Sequence, residues 1–168
     1  MDDATLRELI ELARFGGSAR NLQPLKYLPV NDPEINAGIF PLLGWAGYLP
    51  EWPGPEEGER PSAYIICLLD TSICDEAGCD LGIATQNILL GATAKGLGGC
   101  RIGSFSPEMH ELLGLARHHK ILLVLALGRP REQVVLDEAG AGGSIRYWRD
   151  ENKIHHVPKR PLDEIIVF

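Results

Sequence analysis

Ser18, Asn21 and Gln23 fall in the short stretch Gly17-Ser18-Ala19-Arg20-Asn21-Leu22-Gln23-Pro24 and together offer a hydroxyl and two amides, groups that both donate and accept hydrogen bonds. Such a set suits a flat heteroaromatic ligand better than a metal ion. The stretch joins two regular elements. Leu6, Leu9, Ile10 and Ala13 recur at helical spacing before the Gly16-Gly17 pair, and Leu25-Lys26-Tyr27-Leu28-Pro29-Val30 alternates as a strand. Taken alone, the loop reads equally well as one wall of a ligand site or as a polar surface turn.

A second candidate is Gly96-Leu97-Gly98-Gly99-Cys100-Arg101-Ile102-Gly103. The GxGxxG spacing of a dinucleotide fingerprint cannot be fitted to it, and it lacks the Lys-Ser/Thr end of a phosphate loop. Glycines after a helix let backbone amides come close to a ligand edge, or simply make a tight helix-to-strand connection. GxSxG and HExxH motifs are absent from the sequence. Histidines are adjacent at His118-His119 and His155-His156. On a strand neighbouring side chains point to opposite faces, so the expectation is no metal site. Cys67, Cys74, Cys79 and Cys100 form no CxxC pair and are expected to be buried thiols in a reducing compartment.

The elements that must carry these residues are mixed. Ser62 to Leu69 and Ile121 to Leu127 are continuous apolar runs, expected as central strands buried on both faces. Residues 80–97 form a helix apolar almost all round, which points to the core or to a subunit interface. Ser106-Pro107-Glu108 starts a further helix towards Gly114. Residues 41–61 make a long loop carrying Trp45, Tyr48 and Trp52, either a lid over a flat substrate or a shield for a sheet edge. In the tail, Ile145-Arg146-Tyr147-Trp148 and Lys153 to Val157 read as a hairpin about Asp150-Glu151-Asn152, followed by a short strand at Glu164-Ile165-Ile166-Val167.

With 168 residues and 45% hydrophobic content, one domain spanning 1–168 has enough apolar side chains for a real core. Sixteen basic against 23 acidic residues give a net charge of -7, without a basic block able to track a phosphate backbone, so nucleic acid is not an expected partner. No apolar run approaches the roughly 20 residues needed to cross a bilayer. The acidic start Met1-Asp2-Asp3 is unlike a signal peptide. A soluble, cytoplasmic protein is expected.

The order of these pieces resembles the FMN-dependent nitroreductase family. Residues 13–24 are similar to its helix end and P-S-A-x-N-x-Q-P loop, and Gly82-Ile83-Ala84-Thr85-Gln86-Asn87-Ile88-Leu89-Leu90 to its G-I-A-x-Q-N-x-L-L helix. Gly96 to Gly103 resembles its G-L-G-x-C-x-I-G segment, Leu125-Ala126-Leu127-Gly128-Arg129-Pro130 its strand and G-x-P signature, and Pro158-Lys159-Arg160-Pro161-Leu162-Asp163-Glu164 its basic tail. The resemblance implies a three-layer α+β fold with an antiparallel or mixed central sheet flanked by helices. It also implies a homodimer with FMN at the interface, and a C-terminal strand ending at Phe168 that extends to the partner subunit. By position, Ser18, Arg20 and Asn21 would touch the flavin, Gln23 would brace the loop, and Arg101, Ile102, Gly103 and Ser104 would follow the ring edge. Lys159 and Arg160 would grip the phosphate, and Trp45 and Tyr48 would line an acceptor pocket.

The implied activity is two-step hydride transfer, from NADH or NADPH to FMN and on to a nitroaromatic, quinone or related acceptor, with no side chain as acid or base. The family's usual R-R-S-x-R-x-F segment has no counterpart in Met1-Asp2-Asp3-Ala4-Thr5. Losing two charge-assisted contacts of roughly 1.5–3 kcal/mol each would weaken FMN binding by about two to four decades. A flavin-binding module without turnover, and an interaction domain using the 45–52 loop, are the alternatives.

Overall fold

The two apolar runs become neighbouring strands. In a computed structural model, which describes residues 1–140 and 142–167, β1 (Leu25–Val30), β2 (Ala63–Asp70), β3 (Gly98–Ile102) and β4 (His119–Gly128) form an antiparallel sheet in the order β1-β2-β4-β3. Period-two alternation divides their side chains. Ala63, Ile65, Cys67, Leu125 and Leu127 enter one core, and Tyr64, Ile66, Leu68, Val124 and Ala126 enter the other. Leu6, Leu9 and Ala13 of α1 (Asp3–Arg14) close the first core. The second receives Ile39 of α2 (Pro33–Ile39). Ala84, Ile88 and Ala92 of α3 (Asp80–Ala94) complete the first, and Met109 of α4 (Glu108–Leu112) the second. The result is the expected three layers, helix on sheet on helix.

Local signals explain where the helices start. Asp2 accepts the Thr5 N–H at 2.8 Å, and the Thr5 side chain together with that N–H holds its carboxyl below the usual range; Asp32 accepts from Glu34 and Ile35 ahead of α2. Ser106 Oγ accepts the Glu108 N–H at 3.3 Å before α4. One face of α3 is buried as expected, but Ile83 and Leu90 are 39% and 60% exposed on the single chain.

The chain divides into two compact units, Met1–Trp45 with Gly54–Arg129, and Ala46–Pro53 with the residues from Pro130 onward. The sheet and helices α1 to α4 belong to the first. In the second, β5 (Val134–Glu138), β6 (Trp148–Arg149) and β7 (His155–Lys159) form a small mixed sheet, with β5 parallel and β6 antiparallel to β7. The expected hairpin is therefore present but shorter, with one arm reduced to Trp148–Arg149. The expected strand at 164–167 is not formed. Residues Leu162–Ile165 make one helical turn, α5, because no neighbouring strand offers a ladder and Asp163 and Glu164 favour a helix N-terminus. Phe168, the expected end of that strand, lies outside the described residues. Among the described residues no helix is long and apolar enough to cross a membrane.

The cysteines correct another expectation. Cys67 is buried, and burial pushes its thiol up to about 12, but Cys79 and Cys100 are exposed; no disulfide joins any of the four. Gly99 explains the glycine-rich stretch in packing terms. A Cβ there would lie 2.7 Å from the Ala126 carbonyl oxygen and 2.6 Å from Leu127 Cδ2. The Gly99→Ala variant should lose about 1–3 kcal/mol in urea unfolding through overpacking. Gly17→Ala, with nothing within 4 Å of the added carbon, should stay within about 0.5 kcal/mol of the parent.

Candidate functional site

The 17–24 loop is held from within by a residue that spacing does not reveal. Ser18 Oγ donates to Asp80 Oδ2 at 2.7 Å, and the Ala19 N–H donates to Asp80 Oδ1 at 3.1 Å. Asp80, 4% exposed, opens α3. An acid in a first helical turn is ordinary on dipole grounds, so nothing in the sequence shows that it reaches back to Ser18. Ser18 Oγ also accepts the Gln23 N–H at 2.9 Å, and Gln23 Nε2 donates to the Asn21 carbonyl at 3.1 Å, so Gln23 braces the loop.

This clamp forces an uncommon backbone. Arg20, Asn21 and Gln23 have φ of 52°, 57° and 51°, left-handed values that residues with a Cβ seldom adopt. The conformation spends the Ser18 hydroxyl internally. It leaves the Arg20 and Asn21 side chains exposed, with no partner among the described residues.

The glycine-rich candidate is the edge strand β3 and the turn after it. Arg101, Gly103 and Ser104 are exposed, while Ile102 is 5% exposed and its side chain belongs to the core beneath α4. Around Gly103 the backbone is open, a Cβ there meeting nothing nearer than Leu123 Cδ1 at 4.0 Å. Ser104 is tied to the 42–44 segment, its carbonyl accepting the Gly44 N–H at 2.8 Å. Strand order decides what one chain can assemble. The 17–24 loop feeds β1 at one edge of the sheet and residues 101–104 lie at the other, with β2 and β4 between them. At about 4.8 Å per strand spacing, β1 and β3 lie roughly 14 Å apart across the sheet.

The remaining candidates have their own surroundings. Trp45, in the first unit, packs its ring 5.3 Å from that of Phe40 and against Gly54. Tyr48, in the second, has its ring 4.9 Å from Tyr147 and under the Arg146 guanidinium, and its N–H donates to Tyr147 Oη at 3.0 Å. Lys159 ends β7, and Arg160 after it pairs with Glu164 in the second unit; both are exposed. At His155-His156 strand alternation holds. His155 Nδ1 meets Glu132, and His156 Nδ1 meets Asp137 while its ring stacks on Trp148 at 4.2 Å. At His118-His119 it fails, because His118 precedes β4. The two rings lie 4.3 Å apart, beside Asp70, whose carboxyl the Ser72 hydroxyl holds below its usual range.

The sheet with its two helical coverings is the nitroreductase fold, which the chain shares with solved proteins. Over its full length the chain superposes on 90% of a nitroreductase family protein from Streptococcus pneumoniae, with TM-score 0.70 and 20% identity. The nitroreductase family model matches residues 74–129. An Archaeoglobus fulgidus protein named as an NADH dehydrogenase/NAD(P)H nitroreductase is 26% identical over 148 residues, 83% of this chain and 80% of that one. A Vibrio harveyi NADPH-flavin oxidoreductase is 25% identical over 146 residues, 76% of this chain, which spans 57% of the relative's length. In sequence and in fold the chain is thus similar to nitroreductases.

Removing the loop's brace should be visible without any ligand. Ser18→Ala leaves the Gln23 N–H and one Asp80 oxygen unpaired and should cost about 1–3 kcal/mol. Amide exchange at Gln23 should accelerate while the middle of α1 keeps its protection; unchanged exchange at Gln23 would show that the clamp does not hold the loop.

Proposed function

We propose that this chain is a flavin-dependent NAD(P)H oxidoreductase that holds FMN between two copies of itself and delivers hydride to a nitroaromatic, quinone or related acceptor. The observation that carries this reading is the 18–23 loop, clamped by Asp80 in a left-handed shape that leaves the donors of Arg20 and Asn21 to face outward. The donor set fits a flavin: a guanidinium and an amide for the polar edge of a flat ring, and at Gly103 an open backbone that a ring can approach closely. Lys159 and Arg160 supply cations for a phosphate, which would displace the exposed Arg160–Glu164 pair at little cost.

The same geometry supports the homodimer in this reading. The loop and residues 101–104 occupy opposite edges of one sheet, so a single site built from both would take one chain's loop and the other chain's β3 end. Ile83 and Leu90 on α3, with the neighbouring Leu12 and Phe15, leave apolar surface for that contact. Bound FMN would supply the hydride chemistry. The protein's part is to bind and orient the ring through Arg20, Asn21 and the Gly103 amide, and no side chain is assigned as acid or base. Of Trp45 and Tyr48, the more exposed is Tyr48, at 42%, and it is the one with surface to offer an acceptor.

The test is titration of the purified chain with FMN, followed by anaerobic NADH or NADPH. Flavin fluorescence should quench on binding, the oxidised-flavin absorbance should bleach with the nicotinamide, and a quinone should restore it. Arg20→Ala should weaken FMN binding by about tenfold or more with unchanged melting temperature. Absence of quenching overturns the flavin assignment, and bound flavin that never bleaches identifies a binding module without turnover.

A further inference from the structure

Strands β2 and β4 end together at a cluster that the oxidoreductase reading does not use. Asp70, the last residue of β2, is the register partner of His119, the first of β4, and His118 precedes it in the turn. One ligand-capable atom from each of the three lies within 4.8 Å of the others. We propose that Asp70, His118 and His119 form a binding site for one divalent late transition metal ion, Zn2+ in the first instance, with solvent completing the coordination.

Three features support a built site. The backbones of all three residues are tied down: the Asp70 N–H donates to the Pro24 carbonyl at 2.9 Å, Thr71 donates to the His118 carbonyl from its N–H and its hydroxyl at 2.8 and 3.0 Å, and the His119 carbonyl lies 3.1 Å from His110 Nε2. The carboxylate is oriented. Asp70 Oδ1 accepts from the Ser72 hydroxyl at 2.5 Å and the Ser72 N–H at 3.1 Å, which leaves Oδ2 for a ligand in the manner of the outer-shell bonds that aim metal carboxylates. The imidazoles are uncommitted, neither ring making a hydrogen bond to another described residue, and the exposed His118 is able to turn towards an ion. Ligand atoms about 3.3 Å apart are needed around a tetrahedral zinc, so metal uptake requires the side chains to close in, with the exposed His118 turning most.

The donor set selects the ion. Two imidazole nitrogens and one carboxylate suit Zn2+, Co2+, Ni2+ or Cu2+, whereas Mg2+ and Ca2+ prefer sites built from oxygen. An ion here would clip β2 to β4 at the end of the sheet from which the 17–24 loop departs, since Pro24 is bonded directly to Asp70.

The probe is Zn2+ alone, added to the chelator-stripped full chain in which Cys74, Cys79 and Cys100 are replaced by Ser, so that accessible thiols do not compete. Saturable uptake of one equivalent, a raised melting temperature and at least about tenfold weaker binding in His118→Ala and in Asp70→Asn are expected. His155→Ala should bind as the parent does. His118 is exposed, so its variant keeps the test valid if Asp70→Asn unfolds. Absence of saturable uptake, or uptake equally tight in His118→Ala, overturns the proposal.

Discussion

Two-sided burial of β2 is the constraint on which the rest of the first unit depends. All eight of its residues are buried, since β1 and β4 pair with its edges while α1 and α3 cover one face and α2 and α4 the other. An antiparallel sheet commonly leaves one face to water and then reads as alternation. Here every position is apolar until Asp70, so a helical layer on each side is obligatory. Asp70 is where the strand leaves the core, and the polar chemistry of this end of the sheet starts there.

A second constraint acts on the loop. Three left-handed residues with side chains carry backbone strain of about 1–3 kcal/mol each, and the charge-assisted bonds to Asp80, roughly 1.5–3 kcal/mol each, are of the same order. The loop therefore keeps its shape only while Asp80 stays at the buried start of α3. Packing of α3 on the sheet and presentation of Arg20 and Asn21 to solvent are in this way one structural fact. Asn87 adds to it by donating to the Leu12 carbonyl at 3.2 Å, tying α3 to the end of the helix that leads into the loop.

What could be read before folding was whatever depends on neighbours in the chain. Helix α1 follows from Leu6, Leu9 and Ala13, β1 coincides with residues 25–30, and both central strands lie within a residue or two of their apolar runs. Helix α2 carries a start signal in Asp32-Pro33-Glu34 but is short, and β3 is hard to read because glycines weaken a strand pattern, although close packing against Ala126 and Leu127 needs Gly99. At 164–167 a short strand is expected, but a strand without a partner has no ladder, and a helical turn forms over Leu162–Ile165 instead.

The candidate site divides along the same line. Residue types and their order were enough to mark the 17–24 loop, the glycine-rich segment and the basic tail, because side-chain chemistry and turn propensity are local properties. Only the tertiary structure decided that Ser18 is spent on Asp80, that Ile102 is core, that Asp70 meets His118 and His119, and that the loop and β3 sit at opposite edges of one sheet. Each of these depends on strand order and on contacts between residues far apart in sequence. Such contacts are set by which faces the core must bury, a property of the whole fold that no single stretch of the chain contains.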